Sequence, residues 1–156
     1  MIFVTVGTQD PFDRLIKAVD EIAPMLGDEI VAQAFFGEYK PKNIKTIDFI
    51  SPVEFSEYID KAQLIIAHAG MGTIISATTK DKPIVVFPRK LSLGEHTTDH
   101  QMATAKKMKE MGIVQVAFEE DELKELLLNN KVRCLKHLGD RASDSLVNSI
   151  KEYINE

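Results

Sequence analysis

Cysteine is nearly absent. Cys134 stands alone among 156 residues, which excludes an internal disulfide and points to a reducing compartment, the cytoplasm. No group of Cys and His has metal-ligand spacing, so neither a metal centre nor a metal-dependent chemistry is expected. Long apolar runs are missing too. The start, MIFVTVGTQD, loses its apolar character at Gly7 and has no basic flank, so no secretory signal is expected. Nothing later approaches the roughly 18 uninterrupted apolar residues of a membrane span. Basic residues are outnumbered, 19 Lys and Arg against 24 Asp and Glu, for a formal net charge of -5. Such a surface repels nucleic acid and anionic lipid, so an anionic ligand has to be held locally.

What is present is enough apolar material, 44% of residues, for one globular α/β domain spanning residues 1–156. Short, partly β-branched apolar runs alternate with amphipathic stretches, the rhythm of βα units forming a parallel sheet with helices on both faces. Strands are expected at 2–6, 30–36, 44–49, 63–67, 84–87 and 113–116. Asp10 and Pro11 read as N-cap and first-turn residue of a helix carrying Phe12, Leu15, Ile16 and Val19 on one side. Further helices are expected at 52–60, 73–79, up to about Met111, at 119–128 and at 139–154.

Two segments carry polar chemistry. In LIIAHAGMGTIISA, Gly70 and Gly72 lie between a buried strand and a helix start, where unpaired backbone N–H groups and the helix dipole attract an anion. Thr73 adds a hydroxyl, and His68 is read as donating a ring N–H to the same anion. A third glycine at the dinucleotide-fingerprint spacing is absent, Ile75 standing there, and no Lys follows as in a P-loop. The second segment, RKLSLGEHTTDHQ, starts where a parallel strand ends, the edge where ligands of open α/β sheets lie. Asp99 and Gln101 suit vicinal sugar hydroxyls, and Arg89 is read as neutralising phosphate charge. Glu95, His96 and His100 share that stretch.

Taken together, VGTQDPFDRL, HAGMGT, and PR followed by GEHTTDHQ resemble the donor-binding domain of family 28 glycosyltransferases. The resemblance implies a Rossmann-like GT-B donor domain that binds a UDP-sugar without metal. It assigns the diphosphate to His68, Gly70, Gly72 and Thr73, and the donor sugar to Asp99, His100 and Gln101. It counts Gly7, Thr8, Met71 and Arg89 among the donor-binding residues. Many relatives carry a ribose-binding glutamate where this chain has Ser76, so the ribose contact falls to Ser76 or is shared with Glu95.

Such enzymes transfer a sugar with inversion, which requires a base; His96, Glu95 and Asp10 are the candidates. The resemblance further implies a two-part enzyme. Its acceptor half would be a membrane-anchored polypeptide that recruits this chain to the inner face of the membrane and presents a lipid-linked glycan in polysaccharide synthesis. Leu146, Val147, Ile150 and Tyr153 of the terminal helix are expected to dock on it. The rival reading is a non-catalytic nucleotide-sugar-binding subunit; a third is a stand-alone nucleotide-sugar hydrolase or epimerase.

Overall fold

Every residue of the first strand, β1 (Ile2–Thr5), is buried, so it must be covered on both faces, as the strands of a parallel sheet are. The computed structural model describes residues 1–35, 37–129 and 131–136 and meets that requirement. β1 pairs in parallel with β2 (Ile30–Gln33) on one side and β4 (Leu64–Ala67) on the other. β3 (Lys45–Ile47), β5 (Ile84–Val86) and β6 (Gln115–Val116) extend the sheet to the order β3-β2-β1-β4-β5-β6, all parallel. The α/β, Rossmann-like expectation is met.

Alternation along β1 divides the core. Ile2, Val4 and Val6 pack with α1 (Asp13–Leu26) and α5 (Glu120–Leu128). Phe3 packs on the opposite face with α2 (Pro52–Lys61), α3 (Met71–Thr79) and α4 (His100–Glu110). Leu15, Val19 and Ile22 recur at helical spacing along α1, which ends at Gly27 in the left-handed conformation that glycine adopts without strain. α2 opens with a reciprocal capping box, in which Ser51 Oγ accepts the Glu54 N–H and the Glu54 carboxylate accepts the Ser51 N–H.

Several boundaries differ from expectation. Asp10 is not the N-cap of α1. The helix begins at Asp13 with Phe12 at the cap, because the Asp10 and Pro11 carbonyls turn inward to meet Arg89. Strands β2, β3 and β6 are shorter than read, and α3 starts at Met71, which places Gly72 inside its first turn. The helix expected at 139–154, with Leu146, Val147, Ile150 and Tyr153, lies outside the described residues. Among the described residues no helix is long and apolar enough to cross a membrane.

Candidate functional site

The strand order reverses between β1 and β4, and ligands of open α/β sheets sit beyond the carboxyl ends of the strands at such a switch point. Two loops meet there. After β1, Gly7 adopts a φ of 85°, and a Cβ on it would lie 3.0 Å from the His68 ring. After β4, Gly70 caps α3 without a side-chain hydrogen bond, leaving the first-turn N–H groups of the helix uncapped. A Cβ on Gly70 would collide with the His68 ring, whereas one on Gly72 would meet nothing within 4 Å. The space over Gly72 is open.

His68 Nδ1 lies 3.4 Å from the Thr5 carbonyl oxygen, which can only accept, so Nδ1 carries the proton of the neutral ring. Burial, reinforced by the nearby Arg89 charge and against the Thr5 bond, pushes its pKa down to about 4. Near neutral pH Nε2 therefore presents a lone pair toward the two glycines. The N–H expected to donate to an anion appears there only once the ring takes up a proton.

The loop after β5 is held by long-range bonds. Gln101 Oε1 accepts the main-chain N–H of both Ala69 (3.2 Å) and Arg89 (3.1 Å), stapling the glycine turn to this loop. Only its amide N–H₂ remains for a ligand. Asp99 sits at the start of α4 with an exposed carboxylate that makes no cap bond, followed by exposed His100.

The sequence of residues 1–154 matches the family described as Glycosyltransferase family 28 C-terminal domain. The chain belongs to this family. It is 31% identical to human UDP-N-acetylglucosamine transferase subunit ALG13 over 122 residues, 71% of this chain. The match covers 10% of that relative, so the chain spans about a tenth of the length of the curated relatives it resembles. The solution structure of ALG13 superposes with a TM-score of 0.58 at 18% identity, covering 96% of this chain and 93% of that one. A putative UDP-N-acetylglucosamine 2-epimerase from Listeria monocytogenes superposes at 0.64 with 18% identity, covering 98% and 44%. At such identities the two superpositions speak for the fold.

Within this family 28 domain, the geometry conflicts with three sequence-based assignments, those of Arg89, Glu95 and His96. Arg89 is buried, and its guanidinium donates to four main-chain carbonyls, so it cannot grip a phosphate directly. Glu95 is bound by Arg14 through Nε (2.6 Å) and Nη2 (2.9 Å) and by the Lys90 N–H, which removes it as a base or ribose ligand. His96 Nδ1 accepts the Thr98 N–H at 3.2 Å, so its neutral ring carries the proton on Nε2 and is set to donate rather than to accept. Ser76 Oγ donates to the Gly72 carbonyl at 2.8 Å inside α3, which leaves its lone pairs as the part of the hydroxyl that can meet a ribose.

Apart from Thr8, one cavity at the candidate site went unread in the sequence. Thr5, Thr8, Gln33, Phe49, Ile50, Pro52 and Phe55 line a mainly apolar cavity of about 290 Å³ at the same sheet edge. Phe49 is 78% exposed, an unusual cost for a phenyl ring, and no stacked ring partner is found for it among the described residues. The available signal was an aromatic residue just ahead of the Ser51 cap. No group of three or more metal-ligating side chains occurs among the described residues.

Proposed function

We propose that this chain binds a uridine diphosphate sugar and serves as the donor-binding, catalytic subunit of a two-part inverting glycosyltransferase. The observation that carries the reading is the convergence at the switch point of an uncapped helix start over open space, an apolar cavity and a loop of sugar-binding groups. The diphosphate would lie over Gly70, Met71, Gly72 and Thr73, with Gly7 below. The flat base would enter the cavity against Phe49, with Thr8 at its wall. Asp99, His100 and the Gln101 amide would face the sugar.

In an inverting transfer the acceptor oxygen attacks the anomeric carbon as the bond to the diphosphate breaks on the opposite side. A base removes the acceptor proton, and the negative charge gathering on the diphosphate is met by the positive end of α3. With Glu95 and His96 committed elsewhere, Asp10, exposed in the loop after β1, is the candidate that keeps an available carboxylate. The acceptor, a lipid-linked glycan, would be brought by a separate membrane-anchored subunit, which would also hold this chain at the cytoplasmic face. The relatives named as transferase subunits support that division.

The commitment of Glu95 and His96 also favours a second reading, in which the partner supplies the base and this chain only holds the donor. Calorimetry with UDP, followed by transfer assays with and without the partner, tests both. Binding without transfer by the isolated chain, and transfer on adding the partner, is expected. No UDP binding sinks the proposal, and full activity of Asp10→Asn with the partner selects the second reading.

A further inference from the structure

Arg89 is only 2% exposed, yet no carboxylate lies within ion-pairing distance of it among the described residues. Among the described residues its guanidinium donates to four carbonyls: Val6 (2.9 Å), Asp10 (2.6 Å), Pro11 (2.5 Å) and Glu95 (3.3 Å). The Phe12 ring lies against it, 4.5 Å from the guanidinium carbon. The Glu95 carboxylate is occupied by Arg14 and the Lys90 N–H, and Asp10 and Glu95 act on the charge only through space. A buried cation without a paired anion is expensive, because carbonyl dipoles stabilise it without cancelling its charge.

That charge sits beneath the site. Three of the four carbonyls belong to the loop containing Gly7, and the Arg89 N–H shares Gln101 Oε1 with Ala69 of the glycine turn. Its field reaches the neighbouring ring, since after burial it is the largest influence keeping His68 deprotonated. His96 adds a smaller effect of the same sign.

We propose that Arg89 acts on the departing diphosphate at one remove. It shapes the floor of the site through the Val6, Asp10 and Pro11 carbonyls, and its unpaired charge holds a standing positive field there without touching the ligand. An anion placed over the two glycine loops supplies the missing countercharge, which makes the site selective for charge rather than for nucleoside alone. Lysine would retain the charge but could not span carbonyls on two loops with one planar fork. The inference rests on the diphosphate binding at these loops.

The test is calorimetry of uridine, UMP and UDP with the unaltered chain, Arg89→Lys and Arg89→Met. For Arg89→Met we expect a UDP loss of about tenfold or more, a smaller UMP loss and little change for uridine. Arg89→Lys should fall between. Equal losses for all three ligands would mean a purely structural arginine and overturn the proposal, as would unchanged UDP binding. NMR gives a second readout, because the His68 ring should titrate at higher pH in Arg89→Met than its value of about 4 in the unaltered chain. Should neither variant fold, the unaltered chain decides. A buried charge is poorly screened, so its preference for UDP over uridine should survive high salt, and collapse of that preference overturns the proposal. Failure of the unaltered chain to bind UDP at all would instead defeat the donor-binding reading.

Discussion

The His68 ring occupies the space that a side chain on Gly70 would need. It cannot swing aside freely, because Gly7 borders it on the other side and its Nδ1 meets the Thr5 carbonyl. The glycine at position 70 is therefore required by a neighbouring ring as much as by the turn, and Gly72 two residues on is not so constrained.

That contrast yields a paired prediction. Gly70→Ala should displace His68, lower stability by about 1–3 kcal/mol and weaken UDP binding with it. Gly72→Val should fold with stability within about 1 kcal/mol of the unaltered chain, since a side chain there enters open space, and yet block the diphosphate. Calorimetry beside thermal unfolding separates the two. Normal UDP binding by Gly72→Val would remove the turn from the site.

His68 should leave a signature in the pH dependence of stability. Its folded pKa, about 4, lies below the ordinary 6.5, so the unfolded chain binds more protons between those values. Stability contributed by the neutral ring is thus present above pH 6.5 and is lost as pH falls toward 4. The full shift corresponds to about 3 kcal/mol. Urea unfolding from pH 4 to 7 should show that slope in the unaltered chain and a shallower one in His68→Asn; identical slopes would refute it.

Asp20 should govern behaviour at lower pH. Pro24 lacks an N–H to offer the Asp20 carbonyl one turn back, and Asn43 Nδ2 fills that vacancy at 3.0 Å. The Asp20 carboxylate in turn accepts the Lys42 and Asn43 N–H groups and the Tyr39 hydroxyl, docking the loop between β2 and β3 on α1. Burial works to raise its pKa, but the bonds from Asn43, Lys42 and Tyr39 prevail, and it falls below the usual 3.8. Its contribution is therefore present above that value and is lost as pH drops beneath it. Asp20→Asn should cost about 1–3 kcal/mol at pH 7, and the cost should shrink steadily as pH drops beneath 3.8; a cost that does not change with pH would contradict the assignment.

Phe49 is predicted to serve the base alone. Phe49→Ala should leave folding intact, since the ring is largely exposed, and weaken UDP by about 1 kcal/mol while leaving inorganic pyrophosphate unaffected. An equal effect on pyrophosphate would place Phe49 elsewhere in the chemistry.

All six strands were legible in the sequence, together with the glycine turn, because β-branched runs, periodic apolar residues and glycines act within a few residues of themselves. Their ends were less legible. The start of α1 moved past Asp10 and Pro11 because Arg89, 78 residues from Pro11, claimed their carbonyls.

By itself, then, the sequence determined the alternation of strand and helix and put glycines where a backbone could approach an anion. Only the tertiary structure decided what the charged side chains do. Arg14 and Glu95 are 81 residues apart and pair bidentately, which occupies the Glu95 carboxylate, and the Arg89 guanidinium binds main-chain carbonyls. The physical reason is that polar groups drawn into the core must find partners, and which partners are within reach depends on how β1 and β5 are arranged around β4, not on local spacing. The cavity beside Phe49 follows the same logic, for its walls come from β1, β2 and the start of α2, which meet only in the folded sheet.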